Sequence, residues 1–388
     1  MLSSDELLEL LLARLDHELP SARRLRQQIH ANPELAHSEH STAAAVAQGL
    51  ELQCKRAGTG VVACTRGTGQ AVAVRAELDG LPIDERTEAP FAAVNGAMHA
   101  CGHDVHAAAL VALLRAARTL EEQLPVPLMG VFQPSEEAYP SGAKMLVDEG
   151  HLDSEVRAIV AVHVHPDLPW GWISVGQGPI NAACDNLKIT VEGQAAHGAY
   201  PHLGRDPILA ISSIVMGLNT LVSRRVDPLH SAVLTVGELH SGSAENVIPA
   251  QATATLTLRT YEAADRRTLR ALVEQLVTST AQAYGCTARI ETTEGEPVLE
   301  NDGRISDRAA KLAAAAGFRL ADPPRSCGSD DFSFFGVIAP IAMCFAGLSG
   351  APGFEPRPLH HPKFLPPDEA VASVARAQAV LYAAAAYA

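Results

Sequence analysis

The sequence has few charged residues, no long apolar run and no closely paired cysteines, and each absence excludes a class of protein. No apolar run reaches the roughly 18–20 residues that cross a bilayer, so no membrane-spanning segment is expected. Residues 1–6 (MLSSDE) lack the basic start of a secretory signal. The seven cysteines are an odd number without CxxC spacing, which argues against a disulfide framework.

Basic side chains are also scarce, with 30 against 44 acidic ones and a formal net charge of −14. A nucleic-acid partner is therefore not expected, because phosphate binding needs clustered lysine and arginine. With 47% hydrophobic residues in 388, the chain can bury two or three cores and is not disordered. These properties predict a soluble globular protein of the cytoplasm.

Short apolar runs alternate with helical stretches over the first half of the chain. Residues 71–78 and 128–133 are predicted strands, residues 158–164 form a strand with almost no polar residue, and residues 105–120 form an apolar helix. This pattern predicts an α/β domain with a mainly parallel sheet and helices on both faces. The N-terminal amphipathic helix is expected to be interrupted at Pro20.

The pattern changes between residues 181 and 295, where strands alternate between polar and apolar residues. The order of elements there is β-α-β-β-α-β, which is the ferredoxin-like motif. We therefore expect a smaller α+β domain at 181–295 inserted into a discontinuous domain made of 1–180 and 296–388.

The densest polar segment is 98–106 (MHACGHDVH), just before the apolar helix. Thiolate and imidazole are ligands that borderline divalent metals favour, so Cys101 and His103 are candidate metal ligands. Two other interpretations stay open. Asp104 could simply cap the helix, or the thiol could be a nucleophile paired with a histidine.

A second polar segment, 131–137 (VFQPSEE), takes an apolar strand directly into two carboxylates. Ligands of open α/β sheets bind at the carboxyl ends of strands, so Glu136 and Glu137 are expected there. Beside a metal, one carboxylate can be a ligand while its neighbour acts as a general base. Without a metal, the pair would be an ordinary solvated surface feature.

Further histidines lie at the end of a buried strand and near the C-terminus. They are His163 with His165, and His360 with His361.

The inserted domain adds three candidates of a different kind. His197 lies in a glycine- and alanine-rich loop, and Asn246 and Arg259 could together hold a carboxylate.

In this combination the segments resemble the dinuclear metallo-amidohydrolases of the aminoacylase and carboxypeptidase type. The subfamily is that of hippurate hydrolases, N-acyl-amino-acid amidohydrolases and auxin-conjugate hydrolases. The pairing of MHACGHDxH with QPxEE is highly specific, and the resemblance covers almost the whole chain in order. The matching segments are 26–39, 75–82, 98–106, 132–137, 163–164, 193–201, 246–249, 328–333 and 359–362.

The resemblance implies two divalent metal ions per subunit, bridged by Cys101 as a thiolate. His103 and His163 would complete one metal site, and Glu137 with His360 the other. Zinc, manganese, cobalt and nickel are all compatible with such ligands.

The same resemblance implies the remaining roles. Glu136 would be the general base that activates water, and Asp79 would orient a ligand histidine. His197 would stabilise the oxyanion, often in the active site of a dimer partner. Asn246 and Arg259 would hold the carboxylate of the substrate.

The implied activity is hydrolysis of an N-acyl amino acid to a carboxylic acid and a free amino acid, in a homodimer or higher homo-oligomer. The small domain would serve as lid and dimerisation surface. The alternatives are a dipeptidase or a hydrolase of unusual amides with the same metal centre, and a non-catalytic metal- or ligand-binding relative. Two residues depart from the usual pattern of the subfamily. Glu77 stands where the subfamily usually has Asp, and Asp330 stands where it usually has Glu.

Overall fold

The computed structural model describes residues 2–152, 156–323 and 325–388. The chain divides into two compact units. The first unit consists of Met1–Gly178, Glu300–Pro324 and Asp331–Ala388. The second consists of Pro179–Leu299 and Arg325–Asp330.

The described residues form helices and strands throughout both units. The helices are α1 (Ser4–His30), α2 (His40–Leu50), α3 (His103–Arg118), α4 (Gly142–Asp148), α5 (Pro207–Arg225), α6 (Ala263–Ala283), α7 (Gly303–Leu312) and α8 (Glu369–Ala386). The strands are β1 (Cys54–Ala57), β2 (Gly60–Cys64), β3 (Ala71–Glu77), β4 (Leu128–Gln133), β5 (Val156–Pro169), β6 (Trp172–Ser174), β7 (Gly178–Asn181), β8 (Ala183–Glu192), β9 (Ala196–His197), β10 (Ala232–Ser241), β11 (Val247–Ile248), β12 (Gln251–Thr260), β13 (Thr287–Glu294), β14 (Leu299–Asn301), β15 (Arg319–Ala321) and β16 (Ile341–Ser349).

The first unit is built on an eight-stranded sheet in the order β1-β2-β4-β3-β5-β16-β6-β15. The central strands β4, β3, β5 and β16 run parallel to their neighbours in this series. Helices α1, α3 and α8 pack on one another and contribute to one continuous apolar core with the sheet. The predicted α/β class with a mainly parallel sheet is confirmed. The parallel strands also direct their carboxyl ends to one edge, where the candidate site lies.

The predicted interruption at Pro20 is wrong, because α1 is one helix from Ser4 to His30 with Pro20 inside it. An internal proline removes a backbone hydrogen bond and costs roughly 3 kcal/mol. The buried face of the helix continues past it, however, from Leu15 to Ala22 and Ile29. Burial of this face against α3 and α8 offsets the local cost.

The second unit contains a four-stranded antiparallel sheet in the order β10-β12-β8-β13. Helices α5 and α6 contribute to one apolar core with this sheet. The element order and strand order are those of the predicted ferredoxin-like motif. Residues 325–330 also belong to this unit, although they lie outside the predicted inserted domain at 181–295.

Within the described residues, α5 is the one helix that is long and apolar enough to cross a membrane by length and composition. Its buried side chains, among them Ile211, Ile214 and Leu218, join the apolar core of the second unit. The helix therefore has a partner for its apolar face within the fold.

Candidate metal centre

The candidate site of the first unit lies at the carboxyl ends of three adjacent parallel strands. Asp79 follows β3, Glu136 and Glu137 follow β4, and His163 lies within β5. Cys101 lies in the loop before α3, and His103 is the first residue of that helix. The parallel order β4-β3-β5 thus brings together residues that are distant in the sequence.

Three buried side chains form the first group of possible ligands: Cys101, His103 and His163. Their donor atoms all lie within 4.8 Å of one another. The Sγ atom of Cys101 is 3.4 Å from Nε2 of His163. A soft thiol with two imidazoles is a donor set typical of zinc and related metals.

A second group consists of Cys101, Glu137 and His360, again with donor atoms within 4.8 Å. Nε2 of His360 is 3.3 Å from Oε1 of Glu137. The backbone N–H of His360 donates to the carbonyl of Ala100 at 2.9 Å, which ties the C-terminal loop to the cysteine loop. Cys101 is therefore common to both groups.

Backbone contacts fix which nitrogen of each buried histidine faces the site. Nδ1 of His163 is 2.7 Å from the carbonyl oxygen of Val164, and Nδ1 of His103 is 2.9 Å from that of Asp79. A carbonyl only accepts, so both Nδ1 atoms carry hydrogen and donate. The two Nε2 atoms are left to face the ligand groups.

The orientation of His163 is supported by a second buried histidine, His106. The N–H of Val164 donates to Nε2 of His106 at 3.0 Å, so Nδ1 of His106 donates to Oε2 of Glu77 at 2.8 Å. Burial raises the pKa of Glu77, but Arg75 and His106 lower it more, to well below its usual range. Glu77 thus remains an acceptor at the base of the site.

Asp79 contacts both sides of the site. Its Oδ2 accepts the backbone N–H of Glu137 at 2.9 Å, and its Oδ1 lies 3.4 Å from Nδ1 of His103. Burial raises the pKa of Asp79, and the contacts with His103 and the backbone of Glu137 lower it more. Asp79 thereby links a histidine to the glutamate loop.

Glu136 lies beside the possible ligands and is partly open to solvent. Its Oε2 is 3.9 Å from Nε2 of His103, and its side chain is 14% exposed. The side chain of Glu137 is 12% exposed, and its Oε1 lies 4.0 Å from the same His103 nitrogen. The two carboxylates therefore face one histidine from the same loop.

These residues fit a bound cation. Nε2 of His103 and Oε1 of Glu137 are buried and have no hydrogen-bond partner among the described residues. Burial lowers the pKa of His103, but the carboxylates of Glu77 and Asp79 raise it more, to about 10. Positive charge at this nitrogen is therefore stabilised by its surroundings.

The thiol of Cys101 leads to the same conclusion. Burial and the carboxylates of Glu137 and Glu136 raise the pKa of this thiol to well above its usual range. A thiolate here needs a metal cation to offset the negative charge of the two carboxylates. A cysteine that acts as a nucleophile without a metal requires a lowered pKa, which is the opposite of the shift at Cys101. The interpretation of Cys101 as a metal-free nucleophile is disfavoured.

The alternative in which Asp104 caps α3 is wrong. Gly102 is the N-cap residue, with φ 84°, and no side chain caps the helix there. The carboxylate of Asp104 accepts instead from Nε of Arg26 at 2.7 Å and pairs with Nδ1 of His30 at 2.9 Å.

In the second unit the structure brings two of the three predicted residues together. His197 ends β9 and pairs with Val247 of β11, and Asn246 immediately precedes that strand. Both side chains are exposed. Arg259 lies apart on β12, where its guanidinium donates to the carbonyl of Cys327 at 2.9 Å.

The sequence patterns predict no role for Glu77 or His106. His106 stands three residues after His103, which places both on one face of a helix. Glu77 lies at the end of a buried strand. Together with the spacing of the two histidines, this position could have predicted the contact between His106 and Glu77.

Residues 73–386 match the sequence profile of Peptidase family M20/M25/M40. The match spans most of the chain, and the chain therefore belongs to this family. The predicted membership of a family of metal-dependent amide hydrolases is confirmed.

Similar proteins are found among characterised enzymes and solved structures. The chain is 35% identical over 348 residues to the N-acetyl-L-cysteine deacetylase of Bacillus subtilis, covering 88% of this chain and 82% of that one. It is 32% identical to the N-acetyldiaminopimelate deacetylase of Anoxybacillus flavithermus, covering 89% and 93%. A Bacillus subtilis crystal structure described as a dinuclear metal binding peptidase from the M20 family shares 30% identity and a TM-score of 0.82, covering 95% and 98%.

Proposed function

We propose that the protein hydrolyses the amide bond of N-acyl amino acids, with two divalent metal ions as cofactors. The observation that carries this proposal is the position of Cys101, whose sulfur belongs to both groups of possible ligands. One group adds His103 and His163, and the other adds Glu137 and His360. The deacetylase relatives support an N-acetyl or similar small acyl group.

Two cations held by these residues would lower the pKa of water and polarise the carbonyl of the substrate. Glu136 acts as the general base, because it lies beside the ligand groups and its carboxylate is partly open to solvent. It accepts the proton of the attacking water and returns it to the departing amine. Asp79 holds His103 and the backbone of Glu137 in place for this step.

The second unit supplies the residues that recognise the substrate. His197 stabilises the oxyanion as a hydrogen-bond donor, and Asn246 and Arg259 hold the free carboxylate. The exposure of His197 and Asn246 on adjacent loops supports contact with a ligand.

The second unit is also the proposed lid and dimerisation surface, in a cytoplasmic homodimer. Its edge strand β10 and helix α5 expose apolar side chains, with Leu239 45% and Met216 73% exposed. Sedimentation or light scattering of wild type and Met216→Asp tests this. A monomeric wild type contradicts the homodimer.

The decisive experiment is an activity screen of metal-loaded protein. The panel contains N-acetyl, N-benzoyl and indoleacetyl amino acids beside dipeptides, with zinc, manganese, cobalt and nickel supplied separately. We expect amide hydrolysis that a chelator abolishes and added metal restores. Activity that survives complete removal of metal would refute the proposal, and turnover of dipeptides alone would favour the dipeptidase alternative.

A further inference from the structure

Ser135, the residue immediately before the glutamate pair, has an unusual backbone conformation. Its φ of 54° lies in the left-handed region, and its side chain is fully buried. Non-glycine residues avoid this region, so the surrounding structure must hold the conformation in place. The direction in which the chain leaves Ser135 decides where Glu136 and Glu137 point.

Glu39 holds Ser135 from the far side of the loop, where the N–H of His37 also donates to the Ser135 hydroxyl at 2.8 Å. Oε1 of Glu39 accepts the backbone N–H of Ser135 at 2.7 Å and its hydroxyl at 3.1 Å. The other carboxylate oxygen accepts the hydroxyl of Thr59 at 2.5 Å. Glu39 is completely buried, and it does not cap its own helix α2. Its Oε1 also accepts the N–H of His37 at 3.1 Å, so the side chain ties the glutamate loop to the segment before α2.

The opposite side of Ser135 is held by the backbone. Its carbonyl accepts the N–H of Gly142 at 2.9 Å. A Cβ atom at Gly142 would lie 1.7 Å from the carbonyl oxygen of Pro134, so only glycine permits this approach. Glu39 and Gly142 together hold the peptide groups on both sides of the left-handed residue.

We propose that Glu39 is a positioning residue for the hydrolytic centre. By holding Ser135 in the left-handed conformation, it directs Glu137 toward the metal ions and Glu136 toward the attacking water. This inference rests on the proposed function, in which those two glutamates are ligand and base. Glu39 makes no hydrogen bond to a candidate ligand among the described residues, so its effect on the centre passes through Ser135.

The test compares Glu39→Ala with a matched control, Glu34→Ala. Glu34 lies in the same segment, and its carboxylate accepts the N–H and the hydroxyl of Thr42 at 2.7 and 2.9 Å, but it does not contact Ser135. Metal affinity is measured by chelator competition, alongside kcat, KM and urea unfolding. Outer contacts of metal ligands change affinity or activity by about 10- to 100-fold. We expect a loss of that size in metal affinity and kcat for Glu39→Ala, with KM little changed, and neither loss for Glu34→Ala.

Two further variants keep the test decisive if Glu39→Ala folds poorly. Glu39→Gln keeps an oxygen toward Ser135 and can donate to Thr59, so it should recover most of the metal affinity and kcat. Thr59→Val removes one contact of the Glu39 carboxylate at a partly buried position and should show a smaller loss in the same direction. The inference would be overturned if Glu39→Ala and Thr59→Val both kept the metal affinity and kcat of wild type. It would also be overturned if Glu34→Ala lost as much metal affinity and kcat as Glu39→Ala. A wild type that binds no metal would instead overturn the proposed function.

Discussion

The Sγ atom of Cys101 lies 3.4 Å from Nε2 of His163, although 62 residues separate them in the sequence. The cysteine comes from the loop before α3, and the histidine comes from β5. The histidine nitrogen is available because its other ring nitrogen donates to the carbonyl of Val164. This arrangement depends on the sheet, since the parallel strands bring the two segments together.

Replacement of Glu136 by Gln should abolish turnover and leave the metal content unchanged. The amide keeps the size of the side chain but cannot accept the proton of the attacking water. Activity and elemental analysis on the same samples are the measurements. As a control, Glu137→Gln should lose metal as well as activity, since Glu137 belongs to the ligand group that contains Cys101 and His360. Substantial activity in Glu136→Gln would show that another group is the base.

Replacement of His106 by Ala should weaken metal binding by about 10- to 100-fold. The variant removes the acceptor of the Val164 N–H and with it the support that orients His163. Competition with a chelator measures the affinity. His165→Ala is the control, because His165 lies on the same strand but packs against Phe345. Equal affinities of wild type and His106→Ala would mean that His163 does not need this support.

Replacement of Arg259 by Ala should raise KM by about 10- to 100-fold while kcat changes much less. A hydrogen bond to a charged group contributes about 1.5–3 kcal/mol, and each 1.4 kcal/mol is tenfold in affinity. This increase in KM should disappear for substrates in which the carboxylate is replaced by an amide. Arg289→Ala is the control, since Arg289 pairs with Glu192 on the surface of the same unit. An unchanged KM in Arg259→Ala would exclude the carboxylate role.

His30 should make the free energy of unfolding depend on pH on the alkaline side. Burial lowers its pKa, but Asp104 and Glu85 raise it more, so the net pKa lies above the usual value. The two ring nitrogens lie 2.9 and 3.1 Å from these carboxylates. Because the pKa of His30 is higher in the folded state, its contribution to the free energy of unfolding is complete below the unfolded-state pKa of about 6.5. That contribution is lost as the pH rises through the folded-state pKa.

The measurement is urea unfolding of metal-free wild type and His30→Asn at about pH 6 and about pH 9. The stability advantage of wild type over His30→Asn should be larger at the lower pH. His230→Asn is the control, because His230 pairs with Asp265 on the surface and should contribute little at either pH. A wild-type advantage that is the same at both pH values would contradict the prediction.

The sequence alone was sufficient for the fold class and for the residue types of the candidate site. Strands buried on both faces are mostly apolar, so β3, β4 and β5 are visible as largely apolar runs. Polar residues such as Glu136 and His163 stand out because they follow or end such runs. Parallel strands place their carboxyl ends at one edge, which is why residues distant in sequence could be grouped before the structure was known.

Only the tertiary structure decided which atoms of those residues face one another. No local pattern predicts that α1 continues through Pro20. Nor does any local pattern connect the distant segments that meet where Asp104 pairs with Arg26 and where Glu39 contacts Ser135. Local propensity describes a few neighbouring residues, whereas these contacts depend on how buried faces pack and on which donors burial leaves unsatisfied. For that reason the kind of chemistry could be predicted from the chain, and the geometry that supports it required the fold.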